Sequence, residues 1–452
     1  MRCHSLPFRA FAVIALGVLL SSCRGGSAIG SSAGLPVSNL ESARSEAQDL
    51  LNGIPGAGKI KHIIIVVQEN RSFNNLFYGY PGAKTVAYGY NSKGRKIKLQ
   101  PVTLAARWDG LHVNALLACN GTGKIHGTDC RMNGFDKQDE PCGRDGEPKC
   151  VNKNVPYSYV PHSETVPYFT MAHQYVLADE MFASNFDASD FISHQYIITA
   201  RAPVEATGYP SGAWGCPGGP TDKIRTLDGG FVRPCWNPVT LGEELDKKHL
   251  SWAFYASPVN DGKGIWSAYQ AIKYIYYGPD WKKDVIPQTQ FFSDVSTGKL
   301  RNVSWVTPTY ANSDHPGSGS RTGPSWVASL VNAVGESKYW DSSAIFIFWD
   351  DYGGWYDPEP PAYVDYDGLG FRIPLLIISP YAKKGYVSHV RYEHGSILKF
   401  AEQQFGLRSM AASDLRADST REDGFDFSQP PRKFVKIAAP YDRDYFLRQP
   451  TT

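Results

Sequence analysis

The stretch that decides the fold is residues 62–73, which read HIIIVVQENRSF. Its first six residues are almost all β-branched aliphatics, without alternation of polar and apolar side chains. Such a run is typical of a strand buried on both faces of a parallel sheet. The run stops at Gln68, and Glu69 and Asn70 follow it. Because ligands in open α/β sheets bind beyond the carboxyl ends of the strands, these two oxygen-bearing side chains are candidate ligands for a divalent cation.

A second stretch repeats this arrangement. Residues 343–355 read SAIFIFWDDYGGW, an apolar strand that ends on Asp350 and Asp351. Adjacent carboxylates repel each other, and burying them is costly unless a cation neutralises them. A solvated strand end would explain either stretch alone, but two such ends in one chain favour a shared metal site. Gly353 and Gly354 are predicted to let the backbone turn close to the metal.

Three motifs carry a resemblance to a known family. QENRSFNNLF at 68–77, SDHPG at 313–317 and FWDDYGGWYDP at 348–358 resemble the bacterial phosphoesterase family of phospholipases C and acid phosphatases, within the alkaline-phosphatase superfamily. The resemblance covers residues 58–440. It implies an α/β fold, a three-layer sandwich around a mostly parallel, alkaline-phosphatase-like sheet. It also implies metal-dependent hydrolysis of phosphate esters through a covalent phospho-enzyme.

The resemblance implies a ligand set for the metal, namely Glu69, Asn70, Asp350 and Asp351. The identity of the divalent ion stays open. Oxygen ligands suit Mg, Mn or Ca, whereas the superfamily also admits zinc.

The resemblance places a Ser or Thr nucleophile at the start of a helix, four residues before the position of His194. Four residues before His194 stands Asp190, and Ser189 precedes it. Either one residue is inserted and Ser189 is the nucleophile, which is the interpretation that the sequence favours, or the nucleophile is altered. In the second case Asp190 binds the metal or is itself phosphorylated. Ser193 is a third choice for the nucleophile. The non-catalytic alternative is that Ser189 only caps the helix that begins there.

Further histidines are candidate site residues. The resemblance implies that His315, in the SDHPG motif, faces the scissile phosphate and stabilises charge or protonates the leaving group. It implies for His112 a phosphate-binding or proton-donating role, although a capping or packing histidine is the alternative. His394 begins a predicted helix and is either a site residue or an N-terminal cap.

Other patterns predict the remaining large elements. Helical spacing predicts a helix over residues 166–178, and an amphipathic pattern predicts another over 325–334. Apolar runs predict strands over 251–255, 303–308 and 374–380. No repeat or charge run divides the chain after residue 57, so residues 57–452 are predicted to form one phosphoesterase domain with disulfide-pinned insertions.

The first 56 residues have the composition of an export signal and a tether. Arg2 and Arg9 form a positive segment before an apolar run, residues 10–20, that is too short for a typical membrane span. LSSC at 20–23 resembles a bacterial lipoprotein box, which predicts a signal peptide over 1–22 and a lipid on Cys23. Residues 24–56 then form a tether with a short helix over 40–51. The protein is predicted to be exported, as a cell-envelope lipoprotein held to the membrane by this anchor or as a secreted protein.

Six cysteines remain after this segment. Their even number in an exported chain argues for three disulfides, and proximity favours Cys216–Cys235 with two bridges inside residues 119–150. A zinc site is less favoured because no Cys-x-x-Cys pair is present. The six are Cys119, Cys130, Cys142, Cys150, Cys216 and Cys235.

Charge and composition narrow the partners. The net charge is +2 with 20% charged residues and no basic cluster, so no nucleic-acid partner is expected. The predicted partner is a phosphate-ester substrate, with a phospholipid as one possibility. The alternatives are an acid-phosphatase-like phosphomonoesterase and a catalytically inactive, envelope-anchored binding protein. A sulfatase is less favoured because no Cys/Ser-x-Pro-x-Arg motif is present.

Overall fold

The computed structural model describes residues 55–106, 108, 112–124, 127–138, 154–186, 189–257 and 266–449, with the backbone alone at 112 and 113. The predicted signal peptide, Cys23 and the tether lie outside these residues, apart from 55 and 56. The described residues belong to one compact unit.

An eight-stranded mixed sheet organises this unit. The strands are β1 His62–Gln68, β2 Val176–Phe182, β3 Trp252–Ala256, β4 Val285–Pro287, β5 Val303–Val306, β6 Ser343–Trp349, β7 Arg372–Ile378 and β8 Tyr386–Ser388. The spatial order of the sheet is β4-β3-β5-β1-β6-β7-β2-β8. Every pair of neighbours runs parallel except the two that involve β7, which is antiparallel to both β6 and β2.

The register of β1 determines what meets at the carboxyl edge. Gln68, the last residue of β1, lies beside Trp349, the last residue of β6. The residues that follow, Glu69 and Asp350, therefore leave the sheet side by side. On the other flank Val66 pairs with Val306 at the end of β5, so the loop after β5 starts at the same edge.

Helices cover both faces of the sheet. Successive side chains of a strand point to opposite faces, and all seven residues of β6 are buried, so both faces need a covering layer. The ring of Trp349 packs against Tyr168 on one face, with centroids 5.1 Å apart. On the other face Phe348 packs against His394 at 5.3 Å and Phe346 against Phe400 at 5.0 Å. The four longest described helices are α1 His162–Gln174, α2 Asp190–Thr199, α3 Gly323–Gly335 and α4 His394–Phe405. Helix α1 contacts α3, and α2 contacts α4. The predicted sandwich around a mostly parallel sheet is confirmed.

Shorter elements occupy the connections. The remaining described α-helices are Phe73–Phe77, His112–Cys119, Leu241–Lys247, Lys273–Tyr276, Asp280–Asp284, Gln290–Ser296, Ala412–Arg416, Thr420–Gly424 and Arg443–Leu447. The described 3-10 helices are Phe135–Lys137, Pro203–Glu205, Cys216–Thr221, Ala268–Ala271, Tyr310–Asn312 and Trp340–Ser342. Small strands pair Tyr88–Tyr90 with Lys96–Lys98, pair Gln100–Pro101 with Ser158–Tyr159, and form a three-stranded sheet from Ala206–Thr207, Ile224–Thr226 and Phe231–Val232. None of the helices in this described part combines the length and the apolar character needed to cross a bilayer.

One predicted element is wrong. The helix expected over 166–178 starts earlier, at His162, and ends at Gln174, and residues 176–182 are instead the buried strand β2. Tyr175 between them has non-helical backbone angles, with φ -135° and ψ -144°. A short apolar run fits a helix face and a buried strand equally well, and here pairing with β7 and β8 decides for the strand.

Two disulfides are present in the described residues. Cys216 is bonded to Cys235, as predicted, and Cys119 is bonded to Cys130, which is one bridge inside 119–150. Cys142 and Cys150 lie outside the described residues, so their pairing stays a prediction.

Candidate active site

Three buried carboxylates converge where β1 and β6 end. Glu69, Asp350 and Asp351 are at most 1% exposed. The backbone N–H of Asn70 donates to Oδ1 of Asp350 at 3.1 Å, which ties the two strand ends together. Asn70 itself has φ +32°, a left-handed conformation that asparagine adopts more readily than most residues.

The turn after β6 requires glycine. Gly353 has φ +61°, and a Cβ there would lie 2.2 Å from the carbonyl oxygen of Asn70. Its N–H donates to Oδ1 of Asp351 at 2.7 Å. The close approach that the glycine pair predicts is therefore an approach to the backbone of Asn70, and it orients Asp351.

Helix α2 brings a fourth carboxylate to the same place. Asp190 is its first residue, and Oδ1 of Asp190 accepts from Nδ2 of Asn70 at 2.9 Å. His194 lies one turn later on the same face, and its Nε2 is 3.0 Å from Oε1 of Glu69. Burial lowers the pKa of His194 to about 4, so its imidazole is neutral near pH 7.

Ser189 is directed elsewhere. Its hydroxyl donates to the carbonyl oxygen of Gly208 at 2.6 Å. Its side chain makes no capping hydrogen bond to the α2 backbone. At the start of α2 it is thus the side chain of Asp190 that joins the acidic cluster. The hydroxyl of Ser189 donates its proton to the carbonyl oxygen of Gly208 instead.

The cluster has the properties of a cation site. One ligand atom each from Glu69, His194 and Asp350, and likewise from Asp190, Asp350 and Asp351, lie within 4.8 Å of one another. Within the described part of the chain, four buried oxygens of the cluster have no hydrogen-bond partner: Glu69 Oε2, Asn70 Oδ1, Asp350 Oδ2 and Asp351 Oδ2.

Electrostatics at this cluster are unfavourable without a positive charge. Burial, followed by repulsion from the neighbouring carboxylates, raises the pKa of Glu69, Asp350 and Asp351 well above the usual range. Buried charges that lack a partner cost several kcal/mol each. Oxygen donors of this kind suit a hard divalent cation, so the residues present fit the predicted metal.

His315 borders the cluster beside Asp190. Its Nε2 lies 4.0 Å from Oδ2 of Asp190. Nδ1 of His315 accepts from the N–H of Gly317 at 3.1 Å, so the ring proton is on Nε2, the nitrogen that faces the cluster. Trp266 and Tyr310 pack near this imidazole, with centroids 6.2 and 5.2 Å from it.

Two other predicted histidines differ in how much the structure describes. His112 begins the helix His112–Cys119, but its side chain lies outside the described part. His394 is buried at the start of α4, and its Nδ1 accepts from the N–H of Ser184 at 3.4 Å. Burial lowers the pKa of His394 to about 3. Its Nε2 is 3.5 Å from the carbonyl oxygen of Trp349, so it supports the end of β6 from behind.

An Arg–Asp pair that the sequence analysis did not single out joins the strand ends. Arg71 is fully buried, and its Nε donates to the carbonyl oxygen of Asp314 at 2.8 Å. The Asp314 carboxylate accepts from the Tyr168 hydroxyl at 2.7 Å and from Nε1 of Trp349 at 3.1 Å. Both residues lie inside the quoted motifs, so a charged residue within an otherwise buried motif was the available signal.

Tyr209 and Trp266 complete the surroundings of Asp190. The Tyr209 hydroxyl donates to Oδ1 of Asp190 at 3.2 Å, and Nε1 of Trp266 donates to Oδ2 at 3.5 Å. Tyr209 lies in a glycine- and proline-rich loop, where no periodicity could have indicated it.

Comparison with known proteins identifies the family of this chain. A model of the Phosphoesterase family matches residues 60–408, which include every described residue of the cluster. The chain belongs to the Phosphoesterase family. It is therefore a phosphoric ester hydrolase.

Phosphoesterase relatives of this chain include named phospholipases C. Non-specific phospholipase C1 of Arabidopsis thaliana is 26% identical, over 78% of this chain and 68% of its own length. Phospholipase C B of Mycobacterium tuberculosis is 24% identical, over 82% and 78%. Non-hemolytic phospholipase C of Burkholderia pseudomallei is 23% identical, over 85% of this chain and 62% of its own length.

A solved structure of a Vibrio parahaemolyticus protein in the alkaline phosphatase superfamily is similar, with a TM-score of 0.40 and 12% identity. The match covers 84% of this chain and 80% of that one. The family assignment itself rests on the sequence match.

Proposed function

We propose that this phosphoesterase is metal-dependent, acts like a phospholipase C and proceeds through a covalent phospho-enzyme. The observation that carries the metal dependence is the set of four buried, unpartnered oxygens on Glu69, Asn70, Asp350 and Asp351. The phospholipase C names of the relatives support a phospholipid substrate.

These four residues would hold the metal. A bound divalent cation supplies Lewis acidity at the phosphoryl group and activates an oxygen nucleophile. The remaining steps belong to side chains of this chain.

We assign the nucleophile to Asp190 rather than Ser189. Asn70 and Tyr209 orient the carboxylate of Asp190 by donating to its Oδ1, whereas the Ser189 hydroxyl donates to Gly208. A carboxylate oxygen of Asp190 attacks phosphorus, and the bond to the alcohol oxygen breaks. The departing alkoxide takes a proton from water, and the hydroxide that remains attacks phosphorus and releases the carboxylate.

His315 stabilises the charge that develops in these steps. Its Nε2–H points toward the space beside Asp190, where it donates to the leaving oxygen. A positioned donor of this kind contributes about 10²–10³-fold to the rate.

The deciding experiment compares wild type, Asp190→Ala and Ser189→Ala, each with and without chelator, on p-nitrophenyl phosphate and p-nitrophenyl phosphorylcholine. We expect chelator-sensitive turnover that Asp190→Ala abolishes and Ser189→Ala largely retains. Preference for the diester supports the phospholipase C assignment, and preference for the monoester supports the acid-phosphatase-like alternative.

Acid quenching during turnover identifies the intermediate. A phosphoryl group on Asp190 is an acyl phosphate that hydroxylamine removes, whereas a phosphoserine resists hydroxylamine. A hydroxylamine-resistant phosphopeptide containing Ser189 would return the nucleophile to that residue. Metal binding without turnover of any phosphate ester would favour the binding-protein alternative.

We also propose that the chain is exported and carries lipid on Cys23. The disulfides Cys119–Cys130 and Cys216–Cys235 support an oxidising compartment. Labelling with palmitate tests the anchor, and the label should be lost in Cys23→Ala. Absence of label in the wild type would instead favour a secreted protein without an anchor.

A further inference from the structure

A cavity shares a wall with the Asp190 site. It measures about 440 Å³, within the usual range for ligand pockets. Gly208 and Tyr209 line it, and these are the residues that accept from Ser189 and donate to Asp190. Tyr209 therefore connects the cavity to the carboxylate of the proposed nucleophile, which is not itself among the lining residues.

Large apolar side chains stand exposed around the cavity. Phe231 is 65% exposed, Leu227 and Tyr363 are each 47% exposed, and Tyr366 is 37% exposed. All four line the cavity, and together they form what we call the entrance rim. Exposed apolar side chains gathered around one cavity indicate an interaction surface, because leaving apolar area in water costs free energy.

Two residues of the rim, Leu227 and Phe231, belong to a braced hairpin. Leu227 and Phe231 flank the turn between the small strands Ile224–Thr226 and Phe231–Val232. The N–H of Leu227 donates to the carbonyl oxygen of Glu205 at 3.1 Å. The Cys216–Cys235 disulfide spans this hairpin, so the two apolar side chains project from a fixed support.

The charges of the lining are arranged for anionic groups. Lys223 and Arg225 are exposed and line the cavity, because the alternation of the strand Ile224–Thr226 turns Ile224 inward. Asp367, also in the lining, is buried and accepts from the Tyr196 hydroxyl. The exposed carboxylates nearby, Glu205 and Asp228, are outside the lining.

We infer that the entrance rim, with Lys223 and Arg225, is the surface by which this enzyme binds a phospholipid bilayer. A lipid bound there would then reach Asp190 through the cavity. The inference rests on the proposed phospholipase C-like function. Apolar side chains outside the cavity enter the acyl boundary of the bilayer, while the two cations meet the headgroup phosphates. Hydrolysis of a soluble phosphomonoester would not require an apolar rim that faces solvent.

The test is co-sedimentation with vesicles of phosphatidylcholine that contain a minor share of phosphatidylglycerol. Chains that begin at residue 24 are used in every arm, so that neither the predicted signal peptide nor a lipid on Cys23 can contribute. Phe231→Ser with Leu227→Ser should lower vesicle partitioning at least about tenfold. The matched control is Val435→Ser with Leu447→Ser, at residues 59% and 46% exposed that do not line the cavity, and it should partition like the parent.

A second variant tests the charges without changing apolar area. Lys223→Gln with Arg225→Gln should remove the preference for vesicles containing phosphatidylglycerol over pure phosphatidylcholine. Added salt should have the same effect on the parent protein. The ratio of the rate on vesicles to the rate on p-nitrophenyl phosphorylcholine should fall in both rim variants.

The inference is overturned if the parent does not sediment with vesicles, if both rim variants partition like it, or if the control pair loses as much. The proposed function fails differently, by absence of turnover on every ester. In that case vesicle binding is still measured, and loss of binding in the rim variants alone would leave the docking face standing.

Discussion

The side-chain amide of Asn70 donates to the carboxylate of Asp190 across 2.9 Å, although 120 residues separate them in the chain. Asn70 follows β1, and Asp190 begins α2, so this bond fixes the helix start over the carboxyl edge of the sheet. It also brings a fourth buried carboxylate to three that already repel one another. Several consequences of this arrangement can be measured.

Asp350→Asn should weaken metal binding and stabilise the metal-free protein. The Asn Oδ1 can keep the bond from the Asn70 N–H, while the new amide replaces the unpartnered Oδ2 and removes one buried charge. We expect the melting temperature of chelated protein to rise, with a gain of about 1–3 kcal/mol in unfolding free energy. Bound metal and turnover should fall together. Exposed Asp341→Asn is the control and should change neither quantity, and a chelated Asp350→Asn less stable than wild type would contradict the repulsion argument.

Gly353→Ala should damage the site more than an equivalent change elsewhere. Gly353 and Gly406 both have φ +61°, but a Cβ at Gly406 would meet no atom within 4 Å. Gly406→Ala should therefore cost about 1–2 kcal/mol from backbone conformation alone, with turnover retained. Gly353→Ala adds a clash with the carbonyl of Asn70 and should lower turnover at least about tenfold, since a small misplacement at a reacting centre is costly. Equal losses in the two variants would show that the close approach to Asn70 is unimportant.

His315→Ala should slow alkyl esters more than p-nitrophenyl esters. A donor to the leaving oxygen matters most when that oxygen is a strongly basic alkoxide and least when it is a stabilised phenolate. The expected loss is about 10²–10³-fold on a phospholipid and clearly smaller on p-nitrophenyl phosphorylcholine. Steady-state rates on both substrates decide this. A uniform loss would mean that His315 positions the substrate instead.

Asp314 should make stability depend on pH. Burial raises its pKa from 3.8 to about 6, although Tyr168, Arg71 and Trp349 partly offset the shift. The unfolded chain therefore loses this proton first, and the folded protein loses stability as pH rises from about 4 to about 6. Relative to Asp314→Asn, wild type should lose up to about 3 kcal/mol of unfolding free energy across this window. Denaturant titrations of both proteins between these pH values test it, and a constant difference would refute the raised pKa.

The sheet could be predicted where burial and pattern coincide. The strands β1 and β6 are apolar apart from the end residues His62, Gln68 and Ser343. Their parallel register then requires that Glu69 and Asp350 meet. For the same reason the sequence could predict that the carboxylates of the candidate metal site lie close together. The strand β2 could not be separated from the end of α1 by pattern, because its pairing with β7 is formed by residues almost two hundred positions later.

The immediate surroundings of the nucleophile were less accessible to sequence reasoning. Whether Ser189 or Asp190 faces the cluster depends on a rotation of one residue at the start of α2, which no periodicity encodes. Tyr209 reaches Asp190 from a loop, and Arg71 and Asp314 act through backbone carbonyls and ring donors. Such contacts depend on three-dimensional placement alone.

The position of β1 within the sheet has a consequence for folding during synthesis of the protein. This strand is made early, yet its neighbours are β5 and β6, which the ribosome delivers only in the last third of the chain. A nascent chain would carry an apolar, unpaired strand for most of its synthesis. Long-range pairing of this kind slows folding and favours aggregation while it is incomplete. The nascent chain would thus be unable to complete its central sheet until late in synthesis. Holdase chaperones should therefore recognise residues 62–67 in the incomplete polypeptide.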